Sequence, residues 1–148
     1  MKKLNSRISA ALLERGAYVL PEYLSQSEIS RIQEEVQPWL ERISYNEILG
    51  SEVSGGDHTI RHLAIASKTA LQVALHEPLL DLIEKVFGER CILANLSFQK
   101  KIKAEKHPLK FHSDGDGGIL VFIYLNGVNP ETGATRFLPG THEIGLSL

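Results

Sequence analysis

The sequence predicts an α+β domain, either helices beside an antiparallel sheet or a helix-covered β-sandwich. Three observations predict it. Apolar residues recur at helical spacing through residues 1–90, the pattern turns strand-like from Cys91, and Gly- or Pro-bearing turns separate the later apolar runs. At 148 residues the chain has the length of a single domain, 1–148, helical over 1–90 and stranded over 91–148.

The elements follow in order. Ile8, Leu12 and Leu13 share a helix face, and Gly16 stops that helix. AYVL (17–20) reads as a short strand. Ser25 or Ser27 can cap the next helix, and Glu28, three residues after Ser25, completes a capping box. Ile29, Ile32, Val36 and Leu40 then form one apolar stripe, with Pro38 expected to kink or end the helix. Residues 44–58 are polar and Gly-rich, the signature of a loop, and loops of this length tend to be functional. Two short helices are expected near 67–75 and 77–87, Pro78 opening the second and Gly88 closing it. Beyond them CILANLSFQKKIK (91–103), KFHSD (110–114), GILVFIYLNGV (118–128) and ATRFL (134–138) are strand candidates. Asn126-Gly127, Gly133 and Pro139-Gly140 mark the turns.

Composition narrows the function classes. Hydrophobic residues at 43% and charged residues at 23% suit a folded chain and exclude a disordered tail. The formal charge of −2 offers no basic surplus for phosphate backbones, so no nucleic-acid partner is expected. Cys91 is alone and cannot close an internal disulfide, as suits an intracellular protein. The opening MKKLNSRISAALLERG is broken by Arg7, Glu14 and Arg15 and does not read as a signal peptide. No window approaches the roughly 20 apolar residues of a membrane span. A soluble cytoplasmic domain without a membrane partner is the expectation.

Chemistry concentrates in 111–142. His112 and Asp114 are two apart, so an extended strand sends both side chains to one face. An imidazole and a carboxylate on one face are two of the three ligands of a 2-His-1-carboxylate site, which leaves positions open on Fe(II). His142, after the Pro139-Gly140 turn, could supply the third. Taken singly these are weak signals, because His-x-Asp is common and turn histidines are usually solvated. His58 and His62 stand four apart, a chelating distance on a helix, but a Gly-rich setting favours solvated or substrate-facing roles. His76 and His107 show no partner in the sequence.

The order of motifs resembles the phytanoyl-CoA dioxygenase family of Fe(II)/2-oxoglutarate oxygenases. The matching pieces are HSD (112–114), ILVFIYLNGV (119–128), TGATRFL (132–138) and PGTH (139–142), preceded by GAYVLPEYLSQSEISRIQEEV (16–36) in the family's opening pattern. The resemblance implies a double-stranded β-helix, a cupin-like jelly roll, behind N-terminal helices. It implies Fe(II) on His112, Asp114 and His142, with 2-oxoglutarate as co-substrate, O2, and a small-molecule substrate that is oxidised as succinate and CO2 are released. Asn95, Gln99 and Phe122 would contact 2-oxoglutarate.

Two departures from the family pattern stand out. The family usually holds the distal carboxylate of 2-oxoglutarate with an Arg about ten residues beyond the last iron-binding His. Here EIGLSL (143–148) carries no basic residue, so either the jelly roll is C-terminally shortened or another group holds the carboxylate, with Arg136 the nearest candidate and a lysine of 100–110 the other. An incomplete sheet would present an open edge for self-association. The gap between Asp114 and the ILVFIYL strand is also short, which suits an open site. Two other readings stand beside this one. YLNGVNPETGATRF (124–137) also resembles prolyl-hydroxylase-like oxygenases, whose distal His would fall beyond residue 148. A truncated, non-catalytic binding module of the same fold is the other.

Overall fold

Four of the five described α-helices start or stop on a capping residue or a glycine: one stops at Gly16, one starts from Ser25, one starts from Ser67 and one stops at Gly88. The structure, a computed structural model, describes residues 2–41, 51–54, 57–101, 111–112 and 118–143. Helix α1, Lys2–Arg15, ends at Gly16, whose φ of 78° is the left-handed turn and whose N–H donates to the Leu12 carbonyl at 2.9 Å. Helix α2, Gln26–Glu41, opens on the expected capping box. The Ser25 N–H donates to the Glu28 carboxylate at 2.8 Å, and the Glu28 N–H donates back to Ser25 Oγ at 3.3 Å. These bonds from Ser25, side chain first, hold the Glu28 carboxyl below its ordinary value. Pro38 neither starts nor ends α2. The helix runs three residues further, because a proline in the last turn forfeits only one bond, to the Glu34 carbonyl.

Short helices α3 (Leu63–Ala66) and α4 (Lys68–Ala74) follow, and α5 (Glu77–Phe87) closes on Gly88, φ 75°. Both α4 and α5 fall where the sequence places them. None of the described helices is long and apolar enough to cross a membrane.

The described strands form one antiparallel sheet in the order β1 (Ser51–Ser54), β2 (Asp57–Ile60), β3 (Phe98–Lys101). Ile60 of the central strand pairs with Ser51 on one side and Phe98 on the other. An isolated bridge between His62 and Leu96 extends the β2–β3 contact. Here the loop expected over 44–58 needs correcting, since β1 lies within it and β2 begins in its last two residues. Their polar residues hide the alternation that would announce strands, although Gly55-Gly56 between them is itself a hairpin signal.

The opposite correction applies to the apolar runs. AYVL is not a strand, and Val19 is 74% exposed. Among the described residues of CILANLSFQKKIK only Phe98–Lys101 is a strand, and no strand occurs among the described residues of 110–114, 118–128 or 134–138. A run becomes a strand only where a neighbour offers a ladder, and the described backbone offers none there. The chain is α+β, but no jelly roll is present among the described residues.

Contacts divide the chain into two compact units. One gathers Met1–Pro21, Pro78–Cys91 and Pro108–Leu148, and the other Glu22–Glu77 and Ile92–His107. In the second unit the α2 stripe Ile32, Val36 and Leu40 is buried, as are Ile60, Leu63, Ala70 and Val73. In the first, Ile8, Leu79 and Leu82 are buried.

Candidate functional site

Turn chemistry builds the region that holds His142. Asn129 caps a 3-10 turn, Pro130–Thr132, its side chain accepting from the Thr132 N–H at 2.9 Å while Thr132 Oγ1 accepts from the Asn129 N–H at 2.8 Å. Gly133, φ 90°, then reverses the chain. The returning segment meets the outgoing one through side chains. Tyr124 Oη donates to Thr135 Oγ1 at 2.6 Å and accepts the Thr135 N–H at 3.1 Å. A hydroxyl thus takes a backbone donor that a ladder would otherwise use. Pro139-Gly140 turns the chain again into a second 3-10 turn, Thr141–Glu143, which carries His142.

That turn is seated on the end of α1. The Gly140 N–H donates to the Arg15 carbonyl at 3.0 Å, and His142 Nε2 lies 3.0 Å from the Leu13 carbonyl. A carbonyl can only accept, so Nε2 carries the proton. Both carbonyls belong to the last turn of α1, where the helix itself leaves them without partners. Gly16 permits the approach. A Cβ on Gly16 would stand 2.5 Å from His142 Nδ1, closer than real Cβ atoms come to anything.

His112 is exposed and belongs to the same unit, and Asp114 lies outside the described residues. The Arg136 guanidinium stands over the Phe111 ring, 5.8 Å from its centroid, and so beside the residue preceding His112. Phe122 is 60% exposed and lines no described cavity. Asn95 and Gln99 belong to the other unit. Gln99 sits in β3 opposite Thr59, whereas Asn95 precedes the strand, so the two do not share a strand face as expected. Among the described residues no three His, Cys, Asp or Glu side chains gather to hold a metal. An open depression beside α5, lined by Asp81, Glu84, Lys85, Gly88, Glu89 and Arg90, includes none of the candidates.

The remaining histidines keep their modest roles, with one addition. His58 is on β2 opposite Lys100 and His62 is in the bridge to Leu96, so they do not share a helix face. His76 has a partner that the sequence did not reveal. Its Nδ1 lies 2.9 Å from Tyr23 Oη, 53 residues away. Burial, then the nearby Glu28 carboxylate, pushes the Tyr23 hydroxyl above its ordinary value. His107 lies outside the described residues.

Sequence reasoning also missed two groups of contacts. The seat of His142 on α1 joins residues too far apart to be signalled, although Gly16 was visible as a helix stop. The half-buried Glu35 carboxylate accepts from Ser67 Oγ at 2.5 Å, Thr69 N at 3.1 Å and Thr69 Oγ1 at 2.8 Å. Burial works against ionisation there, but these bonds outweigh it and hold Glu35 below its ordinary value.

The family model of phytanoyl-CoA dioxygenase (PhyH) matches residues 12–148, and the chain therefore belongs to that family. Members are typically dioxygenases that depend on Fe(II) and 2-oxoglutarate. No curated protein and no solved structure matches the chain.

Proposed function

We propose that this chain is an Fe(II)/2-oxoglutarate-dependent dioxygenase that oxidises a small-molecule substrate with O2 and releases succinate and CO2. The observation that carries the reading is the family match over 12–148, which spans His112-Ser113-Asp114 and Pro139-Gly140-Thr141-His142 in the family's order. The donor set suits the metal. Two imidazoles and one carboxylate are a ligand set for Fe(II) that leaves positions open, and both histidines are exposed. When bound, iron and 2-oxoglutarate supply the oxidising chemistry.

The chain's own residues bind and orient. His112, Asp114 and His142 hold the metal as ligands rather than as acid–base groups. Arg136, whose planar guanidinium already lies beside Phe111, meets the distal carboxylate of 2-oxoglutarate. Succinate formation from 2-oxoglutarate with Fe(II) and O2 tests the reading. His112→Ala should lower it by more than the roughly 10–100-fold that follows loss of a mere supporting partner. Unchanged turnover in that variant would overturn the proposal.

One observation favours a second reading, a non-catalytic module. His142 Nε2 is already engaged by Leu13, which is what a helix cap alone would do. On that reading His142→Ala lowers the melting temperature and leaves metal affinity untouched.

A further inference from the structure

Glycines apart, Glu22 alone among the described residues has a positive φ, 53°. It sits in the Pro21-Glu22 turn, at a position that favours glycine or asparagine. A longer side chain is strained there and keeps that backbone only where its surroundings impose it. The next residue is the one that is held. Tyr23 Oη lies 2.9 Å from His76 Nδ1, and the two rings meet edge to face with 6.1 Å between centroids. Each partner is anchored from behind. The His76 N–H donates to the Val73 carbonyl of α4 at 3.2 Å, while Tyr23 leads into the Ser25–Glu28 cap of α2, and α2 packs on α4. Glu22 and Glu77 bound the segment that belongs to the second unit, so the Tyr23–His76 bond stands one residue inside each of its ends.

We infer that the Tyr23–His76 bond is a latch: it closes the segment 23–76 at its base, and its closure imposes the left-handed backbone of Glu22. Two states follow. With the latch closed, the Pro21-Glu22 turn is strained, and with it open, Glu22 returns to a negative φ. The chemistry of the pair suits closure. Burial and then the Glu28 carboxylate push the Tyr23 hydroxyl above its ordinary value, so it keeps a proton to donate to the Nδ1 lone pair of a neutral imidazole. It also suits opening. His76 is exposed, so water competes for the bond and confines its net worth, while the strain at Glu22 works against it. The latch rests on no part of the dioxygenase reading.

A double-mutant cycle on the full chain, read by urea unfolding and by NMR, tests the latch. Glu22→Gly relieves strain only where strain exists. Its effect on the folding constant should therefore be more favourable in the wild-type background than in Tyr23→Phe, by about two-fold or more, as for residues coupled through shared backbone. His76→Ala should act as Tyr23→Phe does, because it removes the other half of the bond. The NOE between the amide proton and Hα of residue 22, which is strong only at positive φ, should be strong in the wild type and weaken in Tyr23→Phe. A strong NOE that persists in folded Tyr23→Phe, or an equal effect of Glu22→Gly in both backgrounds, would mean that the turn is imposed from elsewhere and would overturn the inference. A weak NOE in the wild type would overturn it without any variant.

Discussion

Residues 26–74 and residues 118–142 carry comparable apolar content but spend it differently. In the first, Val36 and Ile60 are each 1% exposed, and the buried Ser67 and Thr69 hydroxyls both donate to Glu35. In the second, Leu120 and Phe122 are each 60% exposed and Phe137 is 50% exposed, with side chains and turns in place of a ladder. The difference teaches where each kind of order comes from. A helix satisfies its backbone within itself and needs only one face covered, whereas an apolar run becomes a strand only beside another.

The sharpest break of that comparison is a cavity in the first region. Ile60→Ala should cost about 2–5 kcal/mol, as large-to-small changes at fully buried sites do. Urea unfolding measures it, and a midpoint near wild type would mean that the core around β2 is not packed as described. Phe122→Ser, by contrast, should stay within about 0.5 kcal/mol, as surface changes usually do.

Next in size is Glu35→Ala, at about 1–3 kcal/mol, because it strands the Ser67 and Thr69 donors without an acceptor. Its pH dependence has a definite sign. The folded-state carboxyl is held below its ordinary value of 4.5, so the unfolded chain takes up the proton first. The stabilisation is therefore complete above that value and is lost as pH falls from it through the lowered folded value. The gap in urea midpoint between wild type and Glu35→Gln should be wide at neutral pH and should shrink on acidification. A gap that is constant or widens would mean that the bonds do not favour the charged form.

These sites also show how far the sequence could be read. The Ser25–Glu28 cap, the Ile32–Val36–Leu40 stripe and the bounds of α4 and α5 were legible because each is decided within four residues of chain. Three kinds of contact were not. Glu35 reaches Ser67 across 32 residues, Tyr23 reaches His76 across 53, and His142 reaches Leu13 across 129. No period or spacing encodes those meetings. The strand pattern misled in both directions, since β1 and β2 are polar and the ILVFIYL run has no ladder. The candidate site was legible as an order of motifs, and the contact of His142 with the end of α1 was not.

The smallest effect sharpens the comparison most finely, because it isolates one hydroxyl. Tyr124 Oη is the link that binds the outgoing and returning halves of 118–142, donating to Thr135 Oγ1 and accepting the Thr135 N–H. Tyr124→Phe keeps the ring, so only these bonds are lost. Tyr124 is exposed, and water can replace what the hydroxyl gave, which confines the cost to about 0.5–1.5 kcal/mol of local stability. Global unfolding should barely register so small a change. Amide hydrogen exchange should register it, since the Thr135 N–H loses its acceptor while the amides of α2 keep theirs. Faster exchange confined to Thr135 and its neighbours is the expected outcome. Unchanged exchange at Thr135 would mean that another acceptor holds that amide.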